Sequence, residues 1–184
     1  KQTNDNTILD FGTIQVAGNP SLSTFLAMID TDGNWQWVNT MLSENTTGQQ
    51  YCIPDEIQVT LGGDVFVAGT VNNSVTIDGN LYNTESGSED AYYFARFSSV
   101  GDLVWFSGGA GIFSGIEMTF ATDGRIFFAG TAHNTIHFED DNITGPGDDD
   151  VLFVAINQAG NLLWWQTAGH PSFIERPKGI EVDQ

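Results

Sequence analysis

Hydrophobic and polar residues alternate along much of this chain with a period of two. In the segment DVFVAGT at residues 64–70, Val65 and Val67 lie on one side of an extended chain, and Phe66 and Ala68 lie on the other. Segments of this kind are short, rich in β-branched and aromatic residues, and separated by Gly, Asn and Asp. No window combines a helical period with capping residues. The pattern therefore predicts a protein made almost entirely of β-strands.

Three sequence elements return along the chain in the same order. The first, GDVFVAGT from Gly63, returns as GRIFFAGT from Gly124, 61 residues later. The second has a turn glycine followed by a tryptophan, and it occurs three times, with Gly33 and Trp37, Gly101 and Trp105, and Gly160 and Trp164. The third reads TILDF, TIDGN and TIHFE, from Thr7, Thr76 and Thr135. Three elements in a constant order predict a structural repeat.

One complete unit of the repeat reads as four strands, EIQVTL, DVFVAGT, AYYFARF and DLVWFS. Glycine-bearing turns of hairpin type separate the first two strands and the last two. Four antiparallel strands in about 50 residues, repeated, are typical of the blade of a β-propeller. We therefore expect an all-β fold of repeated four-stranded antiparallel blades, about three of them in this chain. The units are placed at residues 7–40 (partial), 56–107, 117–167 and 179–184 (the start of another).

The repeat resembles the bacterial β-propeller repeats of extracellular proteins that are called SBBP repeats. The family pattern GxVYVAGT…DAFVAxxxxxGxLxW is matched twice, at residues 64–70 with 90–105 and at 125–131 with 150–164. The resemblance implies a secreted or cell-surface bacterial protein. It is informative about the fold and nearly silent about the ligand.

A propeller blade buries its faces only against neighbouring blades, and propellers close with about four to eight of them. About three units would leave two open faces, so the remaining blades must come from the same chain or from other copies. The sequence breaks off inside a unit at residues 179–184, which favours a fragment of a longer chain.

Acidic residues dominate the composition, with 24 Asp and Glu against 5 Lys and Arg and a formal net charge of −19 at pH 7. Binding to nucleic acid or to an anionic membrane surface needs clustered positive charge, so both are excluded as functions. No apolar run reaches the roughly 18 residues of a membrane span. Cys52 is the only cysteine, which excludes an intrachain disulfide, and we interpret it as a small buried side chain.

The segment DTDGN at residues 30–34 is a candidate Ca²⁺ site. Asp30, Asp32 and Asn34 place oxygen ligands at alternate positions, as calcium loops do. The glycine position differs from that of an EF-hand, and no bidentate Glu follows at the required place. The alternative is an ordinary hairpin turn. We predict no other cofactor.

The five tryptophans fall into two groups. Trp37, Trp105 and Trp164 recur at one repeat position, which predicts packing in the core. Trp35 and Trp165 lack an aromatic counterpart in every unit, so they are the candidate residues for stacking on a sugar or a peptide. Packing in the core is the alternative for these two as well.

The sequence contains no constellation that indicates catalysis. His133 and His137 are four residues apart on predicted strand or loop, where they would not share a face as they would on a helix. No serine lies in a GxSxG elbow, and no spacing singles out a pair of carboxylates. We therefore expect a non-enzymatic, secreted or cell-surface scaffold that binds a protein or a glycan. The alternative is a propeller-type carbohydrate-active enzyme, a hydrolase or lyase.

Overall fold

The computed structural model describes residues 7–18, 23–43, 51–84 and 90–183. Within these residues the chain forms β-strands and turns and contains no helix. The described segments accordingly include no apolar helix of membrane-spanning length. In chain order the strands are β1 (Thr7–Phe11), β2 (Ile14–Gly18), β3 (Ser23–Ile29), β4 (Trp35–Ser43), β5 (Cys52–Val59), β6 (Val65–Val71), β7 (Ser74–Ile77), β8 (Asn80–Asn83), β9 (Ala91–Phe97), β10 (Leu103–Ala110), β11 (Ile112–Phe120), β12 (Ile126–Phe138), β13 (Asp141–Ile156) and β14 (Leu162–Ala168).

These strands form four antiparallel sheets, of which none closes on itself within the described residues. A front hairpin pairs β1 with β2. Sheet 1 has the order β3-β4-β7-β8, sheet 2 the order β10-β9-β6-β5, and sheet 3 the order β11-β12-β13-β14. Sheets 2 and 3 each contain four antiparallel strands, the number that the repeat predicted for one complete unit. Residues 179–184 were expected to start another unit, and of these the described residues 179–183 form no strand. Earlier in the same segment, Ile174 makes a single parallel bridge to Asp149.

The TIDGN element lies between β6 and β9 of sheet 2 along the chain, but it pairs with sheet 1. It forms the β7–β8 hairpin, and β7 pairs with β4 of the preceding unit, from Met41 opposite Ile77 to Ser43 opposite Val75. Both edges of β6 are already occupied by β5 and β9, so the hairpin pairs with the open edge of β4 instead. The TIHFE element lies at the C-terminal end of β12, where its residues lengthen the ladder between β12 and β13.

Five hairpin loops share one geometry, in which a tight turn is followed by a glycine with positive φ. The N–H of the first loop residue donates to the carbonyl of the fifth, and the N–H of the fourth donates to the carbonyl of the first. The fourth residue is always glycine, because its φ of 85° to 92° is unfavourable for other residues. These glycines are Gly33, Gly63, Gly101, Gly124 and Gly160.

The core lies between successive sheets rather than inside any one of them. Alternate residues of sheet 2 point to opposite sides, so Val67 and Ala95 pack toward sheet 1, and Phe66 and Phe94 pack toward sheet 3. Phe94 stacks on Phe128 of sheet 3 with 4.1 Å between ring centroids. Sheet 2 is therefore covered on both faces by its neighbours, as a stacked repeat requires.

One contact recurs at both junctions between sheets, and we call it the tryptophan–turn contact. The Trp37 indole N–H of sheet 1 donates to the Ser99 carbonyl in the β9–β10 turn of sheet 2, at 3.2 Å. The Trp105 indole N–H of sheet 2 donates in the same way to Gln158 in the β13–β14 turn of sheet 3, at 2.9 Å. The tryptophan of each unit thus packs on the turn of the following unit.

Candidate functional site

The best candidate for a binding site is a pocket of about 470 Å³ beside sheet 3, which we call the seam pocket. It opens between β11, β12 and the segment that follows β14. Its lining contains both carboxylates and cationic groups. Two of the five Lys and Arg residues of the chain lie there. The polar side chains that line it are Ser114, Glu117, Thr131, His133, Asp149, Arg176 and Lys178.

The register of sheet 3 brings the central pair of the pocket together. His133 of β12 lies opposite Ile112 of β11 on one side and Asp149 of β13 on the other. Directly opposed residues of an antiparallel ladder have neighbouring side chains on one face. The His133 Nδ1 accordingly makes a close contact with Asp149 Oδ1. Both side chains remain partly exposed and can still reach a ligand.

The segment after β14 supplies the cationic side of the pocket. The Glu175 N–H donates to the Asp149 carbonyl at 3.2 Å, and the Thr131 hydroxyl donates to the Glu175 carbonyl at 3.2 Å. These two bonds anchor an irregular stretch against the middle of β12 and β13. Arg176 and Lys178 follow directly, so both side chains are held at the pocket.

The pocket occupies a repeat position, but its chemistry is specific to sheet 3. Asp90 in sheet 2 corresponds to Asp149, and the Gly111 N–H donates to the Asp90 carbonyl at 3.2 Å as the Glu175 N–H does to Asp149. At the sheet 2 position, the Tyr51 hydroxyl donates to the Asp90 carboxylate, and the pocket is smaller, at about 230 Å³. His133 and the two cationic side chains distinguish the seam pocket from this counterpart.

Asp150, next to Asp149, has a structural role. Its carboxylate is buried and accepts the Gly147 N–H at 2.8 Å, while Oδ1 has no hydrogen-bond partner. Gly145 and Gly169 lie against this carboxylate so closely that a side chain at either position would overlap it. The carboxylate therefore packs closely against the backbone at both glycines, where no side chain fits.

Two acids, Asp55 and Glu117, lie where β5 of sheet 2 and β11 of sheet 3 meet. The Asp55 carboxylate accepts the Ile116 N–H at 3.4 Å. Burial raises the pKa of Asp55 above its usual value, hydrogen bonds from Ile116 and Gly115 oppose this, and the charge of Glu117 adds to it. An acid with a raised pKa next to a second carboxylate is a pattern found in catalytic sites.

The predicted Ca²⁺ ligands lie in the β3–β4 turn. The Asp30 carboxylate accepts the backbone N–H of Asn34 at 2.8 Å and of Asp32 at 3.0 Å, and the Gln36 side-chain amide at 2.7 Å. The hydrogen bonds from Asn34 and Asp32 lower the pKa of Asp30 below its usual value, and the bond from the Asn34 backbone is the largest cause. Ser98 and Asn157 make the corresponding turn bonds in sheets 2 and 3. Asp30 therefore stabilises a hairpin turn, and the Ca²⁺ site stays a prediction.

The described residues contain no cluster of three or more His, Cys, Asp or Glu side chains arranged to hold a metal ion. His133 and His137 both lie on β12, where a register shift follows His133. Only His133 takes part in the seam pocket.

The structure separates the two tryptophans that were predicted to contact a ligand. Trp35 is partly exposed and makes an edge contact with Phe11 at 5.1 Å between ring centroids. Trp165 packs against the core between sheets 2 and 3, and its indole N–H donates to Asp141 at 3.1 Å. Neither lines the seam pocket.

The prediction that all three recurrent tryptophans pack in the core is wrong for Trp164. Trp37 and Trp105 are half-buried under the turn of the following unit, whereas Trp164 is exposed. The reason is that no turn of the described residues follows sheet 3 to cover it.

Sequence reasoning missed the His133–Asp149 pair. The signal that could have found it is the repeat itself. Asp90 and Asp149 occupy one repeat position, three residues before Tyr93 and Leu152, which align in the second sequence element. The partner of each aspartate differs between the units, so only the strand register identifies it.

Comparison with known proteins does not assign the chain to a family. No family model matches it, and no curated protein shows significant similarity to it. The features of the molecule that bear on function are therefore the repeat, its junctions and the seam pocket.

Proposed function

We propose that this chain is a non-enzymatic β-propeller repeat module of the SBBP type, secreted or displayed at the cell surface, that binds a glycan or a protein. The observation that supports this most is the tryptophan–turn contact, which repeats between sheets 1 and 2 and between sheets 2 and 3. Successive four-stranded sheets joined face to face by one recurring contact are what stacked blades require.

The seam pocket is the surface that we assign to binding. Sugar hydroxyls and peptide groups each both donate and accept hydrogen bonds, so a site for them needs acceptors and donors within reach of one another. Glu117 and Asp149 supply acceptors, while Arg176 and Lys178 supply donors. A pocket of about 470 Å³ accommodates one or two sugar rings or a short peptide segment.

A glycan array followed by calorimetry tests this assignment. We expect a ligand found in this way to lose at least about tenfold in affinity in the Arg176→Ala and Lys178→Ala variants, as loss of charged hydrogen bonds predicts. Arg125→Ala is the matched control, since Arg125 pairs with Asp123 in a turn outside the pocket. Equal affinities in all three variants would place binding elsewhere.

A carbohydrate-active enzyme is the second candidate function, and the Asp55–Glu117 pair is the observation in its favour. In this proposal Asp55, whose pKa is raised, is the general acid, and Glu117 is the second carboxylate. Release of reducing sugar from a panel of polysaccharides, abolished by Asp55→Asn and retained by Glu56→Gln, would support it. No release from any polysaccharide by the wild-type chain would exclude it for that panel.

A further inference from the structure

The front of the molecule consists of the front hairpin and the outer face of sheet 1. It exposes apolar side chains whose counterparts in the other units are buried. Ile8, Phe25 and Ile29 are 60%, 49% and 51% exposed. Their counterparts in the later units are all buried, and these are Ile77 and Ile136, Tyr93 and Leu152, and Phe97 and Ile156. In each case the counterpart is covered by the preceding unit. The front hairpin and sheet 1 therefore carry one half of a unit-to-unit junction.

The back of the molecule, which is the outer face of sheet 3, carries the other half of a unit-to-unit junction. Trp164 is 41% exposed, although Trp37 and Trp105 at the same repeat position pack on the following turn. Four residues later, Ala168 is exposed as well. Its counterpart Met41 is buried against the β7 strand of the next unit.

The turns show the same complementarity. A Cβ placed on Gly101 would lie 2.7 Å from the Trp37 ring, and one on Gly160 would lie 3.1 Å from the Trp105 ring, because each glycine is covered by an indole. A Cβ on Gly33 would meet no atom within 4 Å. The residue 30–34 turn thus has the geometry of the two covered turns and lacks only the tryptophan.

We propose that two copies of this chain bind head to tail, with the back of sheet 3 in one copy covering the front of sheet 1 in the other. Trp164 packs on the Gly33 turn of the second copy, and its indole N–H donates to the Thr31 carbonyl, as Trp37 does to Ser99. Ala168 then lies against Ile8 of the second copy, as Met41 lies against Ile77.

A second copy is the occupant that these surfaces fit. Trp164 needs a glycine turn that no tryptophan covers, with exposed apolar residues beside it. Among the described residues, the Gly33 turn in sheet 1 of another copy meets both conditions. The interface joins two different surfaces, so it is heterologous and continues to a ring or a filament. This inference goes beyond the proposed function and does not depend on the seam pocket.

The charge of the chain makes the association depend on salt. Each copy carries a formal net charge of −19, so repulsion between copies opposes assembly at low ionic strength. Added salt screens this repulsion and leaves the apolar contact in place. Assembly should therefore strengthen as salt increases.

Sedimentation velocity of the chain between about 1 and 200 µM, in low and in high salt, tests the proposal. We expect species larger than the 20.0 kDa monomer that grow with protein concentration and with salt. Trp164→Ala should weaken the association at least about tenfold, as loss of a central aromatic contact does. Leu163→Ala is the matched control, since Leu163 is an exposed neighbour whose counterpart Val104 stays exposed at a formed junction.

Mixing two variants distinguishes a head-to-tail interface from any other. Ile29→Asp blocks the front and Trp164→Ala weakens the back, so each variant alone should be largely monomeric. The Ile29→Asp chain keeps an intact back and the Trp164→Ala chain an intact front, so a mixture should form heterodimers. Both side chains are exposed, and circular dichroism checks that the variants stay folded.

Two results would overturn the proposal. One is a wild-type chain that remains monomeric at 200 µM in high salt, which would mean that these faces are covered by something other than a second copy, such as a further repeat. The other is assembly that neither variant changes.

Discussion

At the scale of single residues, the most unusual environment is the buried pair Cys52 and Tyr93 between sheets 1 and 2. Burial raises the pKa of the Cys52 thiol to about 12, an effect that its contact with Tyr93 slightly opposes. Burial also raises the pKa of Tyr93 well above its usual value, and the neighbouring Cys52 adds to this. Both groups are therefore held in their neutral forms.

The Cys52 thiol should be unreactive in the folded protein. At pH 8 we expect labelling by a thiol reagent to be at least about 100-fold slower than in denaturant, because the thiolate is rare and the side chain is buried. The stability that Cys52 contributes is fully present below pH 9, the unfolded pKa, and is lost as pH rises toward 12. Labelling of the native chain as fast as of the unfolded one would contradict the burial.

The contributions of Asp55 and Asp123 to stability should change with pH in opposite directions. The pKa of Asp55 is raised by burial, so its stabilising contribution is present below pH 3.8 and is lost as pH rises through its higher folded pKa. Asp55→Asn should therefore leave the melting temperature at pH 7 unchanged or raise it by about 1–2 °C. The same variant should lose this advantage when melting is measured below pH 4.

Asp123 is the matched comparison. Its pKa is lowered, first by the hydrogen bond from the Arg125 N–H, so its contribution is present above pH 3.8 and is lost as pH falls below that value. Asp123→Asn should lower the melting temperature at pH 7 and have a smaller effect in acid. Identical pH profiles for the two variants would contradict this assignment of causes.

At the scale of structural elements, the glycine turns and the tryptophans act together. Gly33 and Gly101 have positive φ of 85° and 92°, but only Gly101 is covered by a tryptophan, Trp37. Substituting each glycine therefore separates the cost of the backbone conformation from the cost of the contact.

Gly33→Ala should destabilise the chain by about 1 kcal/mol, because alanine must adopt positive φ. Gly101→Ala has the same backbone cost and should lose about a further 1–3 kcal/mol, since its Cβ would collide with Trp37. Urea denaturation in low salt, where the monomer predominates, measures both values. Equal losses would mean that the tryptophan–turn contact contributes nothing to stability.

The sequence was sufficient to predict four strands and the hairpin turns in each of sheets 2 and 3. It did not predict where the first strands begin, since β5 starts at Cys52 and β11 at Ile112, before the expected residues 56 and 117. Alternation along DVFVAGT and the glycines of the hairpin loops are local signals, and they placed β6 and its turn correctly. The pairing of β7 with β4 could not be predicted, because it depends on which sheet edge is left open after folding. The His133–Asp149 pair was missed for the same kind of reason, since it depends on the register between β12 and β13.

At the scale of the whole molecule, the repeat explains which surfaces are covered and which are open. Each sheet packs on the next, so sheet 2 is buried on both faces. Among the described residues, the outer faces of sheets 1 and 3 keep exposed apolar side chains, such as Ile29 and Trp164. The recurrence of Trp164 predicted burial, and its exposure follows from its place at the end of the described series of sheets. Position in the series, rather than residue type, decides which of three equivalent side chains is exposed.

We propose that sheets 1, 2 and 3 are successive blades joined by one recurring contact. A crystal structure of the chain tests this arrangement. We expect the three sheets to follow one another around a common axis, with the Trp37 and Trp105 indole N–H groups bonded to the Ser99 and Gln158 carbonyls. A sandwich in which sheets 1 and 3 face each other and these two bonds are absent would contradict it.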